Sequence, residues 1–217
     1  MRKTLRQITN YPDPNQLYDE LMQSSGWLYK TNKELYLRRD RALVSILYLG
    51  DFRSQEVIPL ITENFELKGS HLLVKGVKVG KKKRLEYREA KFPLEGERAC
   101  FTDLVLKYVD HLKPKQRLFE WSTEVKTFEL KSKHDYVLKD GTIKHRRSVQ
   151  MVGTKRAWQI VHALLPQYTQ HWLRAFGYNF DYDHMDHDIF AVSDKTKADP
   201  RSLTQYLRKR YDKYPVR

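Results

Sequence analysis

The chain has 217 residues, of which 40% are hydrophobic, enough for one domain with a real core. Its 41 Lys and Arg against 27 Asp and Glu give a formal net charge of +14, which draws a polyanion by steering and counterion release but does not by itself separate nucleases from ribosomal or membrane-surface proteins. No apolar stretch approaches the roughly 20 residues that span a bilayer, no apolar run follows the basic start as it would in a signal peptide, and the lone Cys100 rules out an internal disulfide and fits a reducing, intracellular setting.

In chain order, residues 13–22 predict a first helix, with Asp13 as N-cap and Pro14 in the first helical position. Residues 36–49 predict a second, whose Leu43, Ile46 and Leu47 share one face and which Gly50 stops. Asp51 then caps a third helix running to about Pro59, placing Arg53 and Glu56 in first turns whose free N–H groups favour an anion. Two strands, residues 72–79 and 85–92, flank the basic hairpin Gly80-Lys81-Lys82-Lys83-Arg84. A helix over residues 102–112 follows, with Cys100 read as core beside it. Residues 124–130 and 136–152 read as further strands, the latter turning at Asp140-Gly141. Trp158, Val161 and Leu165 recur at helical spacing up to Pro166. Residues 169–177, 188–193 and 200–210 complete the helices, with Asp199 capping the last. The sum is a mostly helical α+β fold with a small antiparallel sheet.

Chemistry concentrates at four points. Arg53 lies in Gly50-Asp51-Phe52-Arg53-Ser54-Gln55-Glu56; His171 and Arg174 form a His-x-x-Arg pair; Tyr206 follows His171 by 35 residues in a basic helix. Two guanidiniums bind the non-bridging oxygens of a phosphodiester in forked fashion and stay charged throughout. A histidine adds a donor or shuttles a proton, a tyrosine can attack phosphorus and hold it covalently, and a lysine can protonate the departing sugar oxygen. Each residue alone has an ordinary reading: Arg53 as an ion pair with Glu56, His171 as a surface or core histidine, Tyr206 as one of 14 tyrosines with Tyr211 and Tyr214 close by.

Together they resemble the catalytic domain of the tyrosine recombinases, the phage and plasmid integrase family. Residues 41–56, ending in Arg53-Ser54-Gln55-Glu56, resemble the family's first arginine box. Val77-Lys78-Val79-Gly80-Lys81-Lys82-Lys83-Arg84 resembles its β-hairpin lysine motif, His171-Trp172-Leu173-Arg174 its second box, and Asp199-Pro200-Arg201-Ser202-Leu203-Thr204-Gln205-Tyr206 its nucleophile helix. The resemblance runs over about residues 10–210. It implies that Arg53, Arg174 and His171 cradle the scissile phosphate, Glu56 supports Arg53, Lys78 protonates the 5′ oxygen, and Tyr206 forms a 3′-phosphotyrosyl link. That is DNA breaking and rejoining of the type IB topoisomerase kind, with no metal and no ATP. It implies double-stranded DNA as partner, a DNA-dependent homotetramer, and an integrase or resolvase of a virus, plasmid or other mobile element. Lys75 and Lys81 share the hairpin with Lys78 and are the other candidates for the acid. Lys75, Lys81, Lys82, Lys83 and Arg84, with Arg88, form a phosphate-gripping surface, which Lys144, Arg146 and Arg147 extend along DNA.

The chain departs from the family at Lys197, nine residues before Tyr206, where relatives carry His or Trp. Lysine still donates to a phosphate but does not pack as a ring. Only about 50 residues precede Arg53, too few for the family's N-terminal DNA-clamp domain, so residues 1–217 are expected to be a single catalytic domain. Two other functions stay open: a catalytically weak DNA-binding protein of the same fold, and a metal-dependent nuclease built on Asp181-Tyr182-Asp183-His184-Met185-Asp186-His187-Asp188. The ordinary reading of that run is a solvated acidic loop between two helices.

Overall fold

The structure is a computed structural model that describes residues 11–24, 33–79, 86–119, 136–137, 143–144 and 152–211. Helix α1 (Pro14–Gln23) starts as its sequence dictates: the Asp13 carboxylate accepts from the Gln16 N–H at 2.9 Å, and Pro14 fills a position that needs no donor. Helix α2 (Lys33–Leu49) is the central rod, buried without a break from Ala42 to Leu49 rather than along one stripe. Within that stretch the Ser45 hydroxyl donates to the Arg41 carbonyl at 2.9 Å, so burial leaves it satisfied. Helices α4 (Ala99–Val109), α5 (Thr154–Leu164) and α6 (Gln170–His184) pack around α2.

The chain leaves α2 through Gly50 and Asp51, the latter at φ 51°. Asp51 does not cap the next helix. Helix α3 (Ser54–Val57) is a single turn entered from Arg53, whose N–H donates to the Glu56 carboxylate at 2.7 Å. Asp51 instead turns inward and is fully buried, because its left-handed backbone aims the side chain at α6.

Strands β1 (Phe65–Lys68), β2 (His71–Val79) and β3 (Glu86–Pro93) form an antiparallel meander in the order β1-β2-β3. The first was not foreseen, since an edge strand exposed at Glu66, Leu67 and Lys68 has little burial pattern to betray it. In β2, Val74 and Val77 are both fully buried although three residues apart, which an uninterrupted strand of period two forbids. A bulge between them resolves this. Gly76 adopts φ +69°, and the Asn64 amide holds the bulge by donating to the Lys75 carbonyl at 2.9 Å. The bulge therefore decides that Val77 points inward and Lys78 outward.

Helix α4 begins three residues earlier than predicted, and Cys100, expected in the core, is only partly buried at its margin. The segment read over residues 136–152, with its turn at Asp140-Gly141, is represented in its described part by β4 (Tyr136–Val137) and β5 (Ile143–Lys144), paired antiparallel on the two sides of that dipeptide; the strand predicted over residues 124–130 lies outside the described residues. Trp158 recurs at helical spacing with the buried Val161 and Leu165 but does not share their burial. It lies on the outer face instead, 38% exposed and stacked on His162, while Ala157, Ile160, Val161 and Leu164 face the core.

Helices α7 (Ile189–Thr196) and α8 (Pro200–Tyr211) close the fold. The main hydrophobic cluster spans α1 to α6. A smaller one, Tyr178, Tyr182, Val192, Leu203 and Leu207, joins the far half of α6 to α7 and α8. Helix α8 thus rests on a second, smaller core, with the α6 residues of that core as its bridge to the first. No described helix is long and apolar enough to cross a membrane.

Candidate active site

Helix α6 was expected to stop at Gly177, yet it runs on to His184. Glycine here is a contact residue, not a terminator. A Cβ on Gly177 would lie 1.7 Å from Asp51 Oδ1 and 2.7 Å from the Tyr48 carbonyl oxygen, so α2 and α6 cross where only glycine fits. The extra two turns bring Tyr178 onto the same helical face as His171 and Arg174, at spacings of three and four.

On that face the candidate residues converge. Arg174 is buried, and its Nε donates to the Tyr178 hydroxyl at 2.5 Å. His171 is exposed one turn earlier, within electrostatic reach of both Arg174 and Arg53. Partial desolvation first, and then those two cations, hold its imidazole below the usual value, so it is neutral at pH 7 and able to accept as well as donate. Arg53 keeps its side chain 60% exposed while Nη1 sits 3.2 Å from Glu56, itself nearly buried. Glu56 thus holds both the backbone and the guanidinium of Arg53 without covering it.

Helix α8 presents Tyr206 half-buried, its ring edge-on to Tyr178 with centroids 5.3 Å apart. Asp199 caps this helix, accepting from the Arg201 N–H at 2.8 Å. The Tyr206 carbonyl accepts from the Tyr11 hydroxyl (3.1 Å) and the Asn179 amide (3.4 Å), bonds made to α8 from outside it. Arg174, Tyr178 and Tyr206 therefore form one continuous line of contacts.

The hairpin lysines differ. Lys75 is paired with Glu66 across β1 and β2, which raises the pKa of its ammonium. Lys78 is exposed, 5.9 Å over the Tyr87 ring, and makes no hydrogen bond or ion pair with another described residue. Lys81, Lys82, Lys83, Arg84, Arg146 and Arg147 lie outside the described residues, and Lys144 sits in β5. Lys197 is exposed just past α7 at φ 52°, and with Tyr87 it borders a groove of about 830 Å³ between β3 and the α6–α7 region.

Arg88, grouped by sequence with the DNA-gripping cations, is buried instead. Its guanidinium stacks 4.5 Å over Phe52, donates to the Thr196 carbonyl at 2.6 Å, and also bonds the Gly50 carbonyl. It clamps the hairpin strand to the segments immediately before Lys197 and Arg53. Sequence alone gave no sign of this, because a hairpin arginine reads as solvent-facing until its partners are known.

The acidic run is likewise divided. Asp181 is neither solvated nor free for a metal: it is 2% exposed in α6, 3.0 Å from Arg98 and paired also with Lys195. Asp183 lies 3.7 Å from His187, and Asp188 caps α7 by accepting from the Phe190 and Ala191 N–H groups. Among the described residues, no three His, Cys, Asp or Glu side chains gather as a metal-binding group.

Asp51 is buried with its carboxylate unsatisfied. Neither carboxylate oxygen has a hydrogen-bond partner among the described residues. Desolvation first and Asp181 second raise its pKa from 3.8 to about 7, against the opposing pull of Lys195, Arg88 and Arg98. A raised acid binds its proton in the folded state where the unfolded chain has lost it. This contribution is thus whole below pH 3.8, falls as pH rises, and is gone above about 7. Asp51→Asn is expected to remove that slope, gaining on the wild type by roughly 4 kcal/mol at most between pH 4 and 8. Urea melts across that range check it; parallel profiles for the two proteins would exclude an ionising Asp51.

Against known structures, the chain superposes on the XerH site-specific recombinase bound to difH substrate, in its pre-cleavage complex, with a TM-score of 0.53 at 15% identity. The match covers 90% of this chain and 49% of that one. This is the tyrosine-recombinase catalytic fold. The same recombinase in a post-cleavage complex with palindromic difH gives 0.51 at 16% identity, covering 92% and 49%. The chain spans about half the length of these recombinase structures. No family model matches the sequence, and no curated protein does.

Proposed function

We propose that this chain is the catalytic domain of a tyrosine recombinase, cleaving and rejoining double-stranded DNA through a covalent 3′-phosphotyrosine on Tyr206. The observation that carries the reading is the single face of α6: His171 and Arg174 stand together on it, Arg53 lies within reach, and Tyr206 is one ring contact away.

In the proposed reaction the Tyr206 oxygen attacks the scissile phosphorus and its proton leaves, forming the phosphotyrosyl bond as the bond to the 5′ oxygen breaks. That oxygen takes a proton and departs as a hydroxyl; religation is the reverse. Arg53 and Arg174 carry the charge that develops on the non-bridging oxygens. His171, neutral at pH 7, accepts or relays a proton. Of the hairpin lysines, Lys78 suits the acid better than Lys75, whose ammonium is held by Glu66. Lys197 supplies a point-charge donor where relatives place a ring. Strand exchange between two duplexes calls for four protomers, hence assembly on DNA, and the domain's task is that of an integrase or resolvase of a mobile element.

A nicked suicide duplex incubated with the protein in EDTA tests this. The expected result is a protein–DNA adduct that survives a denaturing gel and is lost in Tyr206→Phe. Binding without an adduct would favour a DNA-binding protein that kept the fold, and cutting that needs a divalent metal would favour a nuclease.

A further inference from the structure

Arg174 is only 6% exposed, yet no carboxylate pairs with it among the described residues. Among the described residues its hydrogen-bond partner is neutral: Nε donates to the Tyr178 hydroxyl at 2.5 Å, and the guanidinium carbon lies 5.1 Å from that ring's centroid. Tyr178 is 1% exposed, one turn along α6, and its ring also meets Tyr206 edge-on, at 5.3 Å and 66°. One side chain thus touches the proposed phosphate-binding arginine and the proposed nucleophile.

We infer that Tyr178 is a positioning residue for strand cleavage: its hydroxyl fixes the Arg174 Nε so that the two terminal nitrogens face the scissile phosphate, and its ring sets where Tyr206 stands. The inference rests on the recombinase reading above. The chemistry favours a phenol in this place. A carboxylate would orient the guanidinium equally well, but its negative charge would offset the attraction for phosphate. A neutral oxygen leaves the whole charge for the ligand. Burial, opposed only in part by Arg174, raises the phenol's pKa, so it stays neutral across the working range. With Nε occupied, one edge of the guanidinium fork remains, the edge formed by Nη1 and Nη2.

Tyr178→Phe keeps the ring and deletes the hydroxyl, and it is read in two ways. In single-turnover cleavage of the nicked duplex, the variant is expected to form adduct roughly ten- to a hundredfold more slowly than wild type, as misaligned reacting groups do. Its DNA dissociation constant should be unchanged. In 1H–15N spectra, the Arg174 Nε–H signal, assigned by its absence in Arg174→Lys, should shift and exchange faster with water in Tyr178→Phe while the backbone spectrum persists. Tyr178→Leu, which also removes the edge against Tyr206, should be slower still; if it does not fold, Tyr178→Phe decides alone. A Tyr178→Phe protein cleaving within about twofold of wild type overturns the inference and leaves the recombinase reading intact. So does a defect matched by an equal loss of DNA affinity. A wild type that forms no Tyr206-dependent adduct overturns the recombinase reading, and with it any part for Tyr178 in cleavage.

Discussion

Arg174→Lys is expected to lower the rate of covalent adduct formation by about two to three orders of magnitude, the cost of removing one fixed donor from a developing oxyanion. Charge is conserved in this substitution, so DNA binding should change far less. What is lost is the fork: an ammonium is a compact point charge on a flexible stem, without two parallel donors for two phosphate oxygens. Burial sharpens the effect, because the 6%-exposed position is shaped around a guanidinium lying 5.1 Å from the Tyr178 ring centroid. A lysine there also leaves the buried Tyr178 hydroxyl without its 2.5 Å donor. Single-turnover cleavage of a nicked duplex beside an equilibrium binding titration checks it. If lysine supports near-wild-type cleavage, Arg174 acts only as a charge and the forked geometry is unnecessary.

Gly177→Ala is expected to destabilise the fold even though alanine is the better helix former by about 1 kcal/mol. The added methyl would enter a space already filled, 1.7 Å from Asp51 Oδ1 and 2.7 Å from the Tyr48 carbonyl oxygen. One obstacle is a side chain that can turn away; the other is α2 backbone, which moves only with the central helix. Overpacking of this kind costs about 3 kcal/mol or more, which outweighs the gain in propensity. For a domain of this size a net loss of about 2 kcal/mol lowers Tm by roughly 4–8 °C. Adding Asp51→Gly relieves the closer clash and should restore part of the loss, since the two residues are in contact. An unchanged Tm in Gly177→Ala would mean that α2 and α6 do not approach as closely as described. Because α6 carries His171, Arg174 and Tyr178, the same substitution should slow cleavage even where the protein remains folded.

Much of the candidate site was legible because its signals are local. Asp13-Pro14 marks a helix start by capping chemistry, Asp199-Pro200 does the same for α8, and His171 and Arg174 share a face because they are three apart on a helix. The end of α6 was misjudged for a reason equally physical. Glycine in a helix signals either a stop or a close approach, and which one holds depends on Asp51 and Tyr48, over a hundred residues away in sequence. Stopping the helix at Gly177 also hid Tyr178, whose place on the Arg174 face exists only if the helix continues.

The sequence by itself determined the helical order, the hairpin, the excess of cationic side chains and the candidates Arg53, His171, Arg174 and Tyr206, since these follow from backbone propensity, capping and residue type. Tertiary structure decided which charges face inward. Arg88 and Asp181 look like surface residues in their own segments, yet both are buried, because each meets partners contributed by distant elements: Gly50 and Thr196 for Arg88, Arg98 and Lys195 for Asp181. It also decided, through the bulge at Gly76, that Lys78 points outward rather than into the core. Burial of a charge is set by pairings across the fold, and no local pattern encodes them.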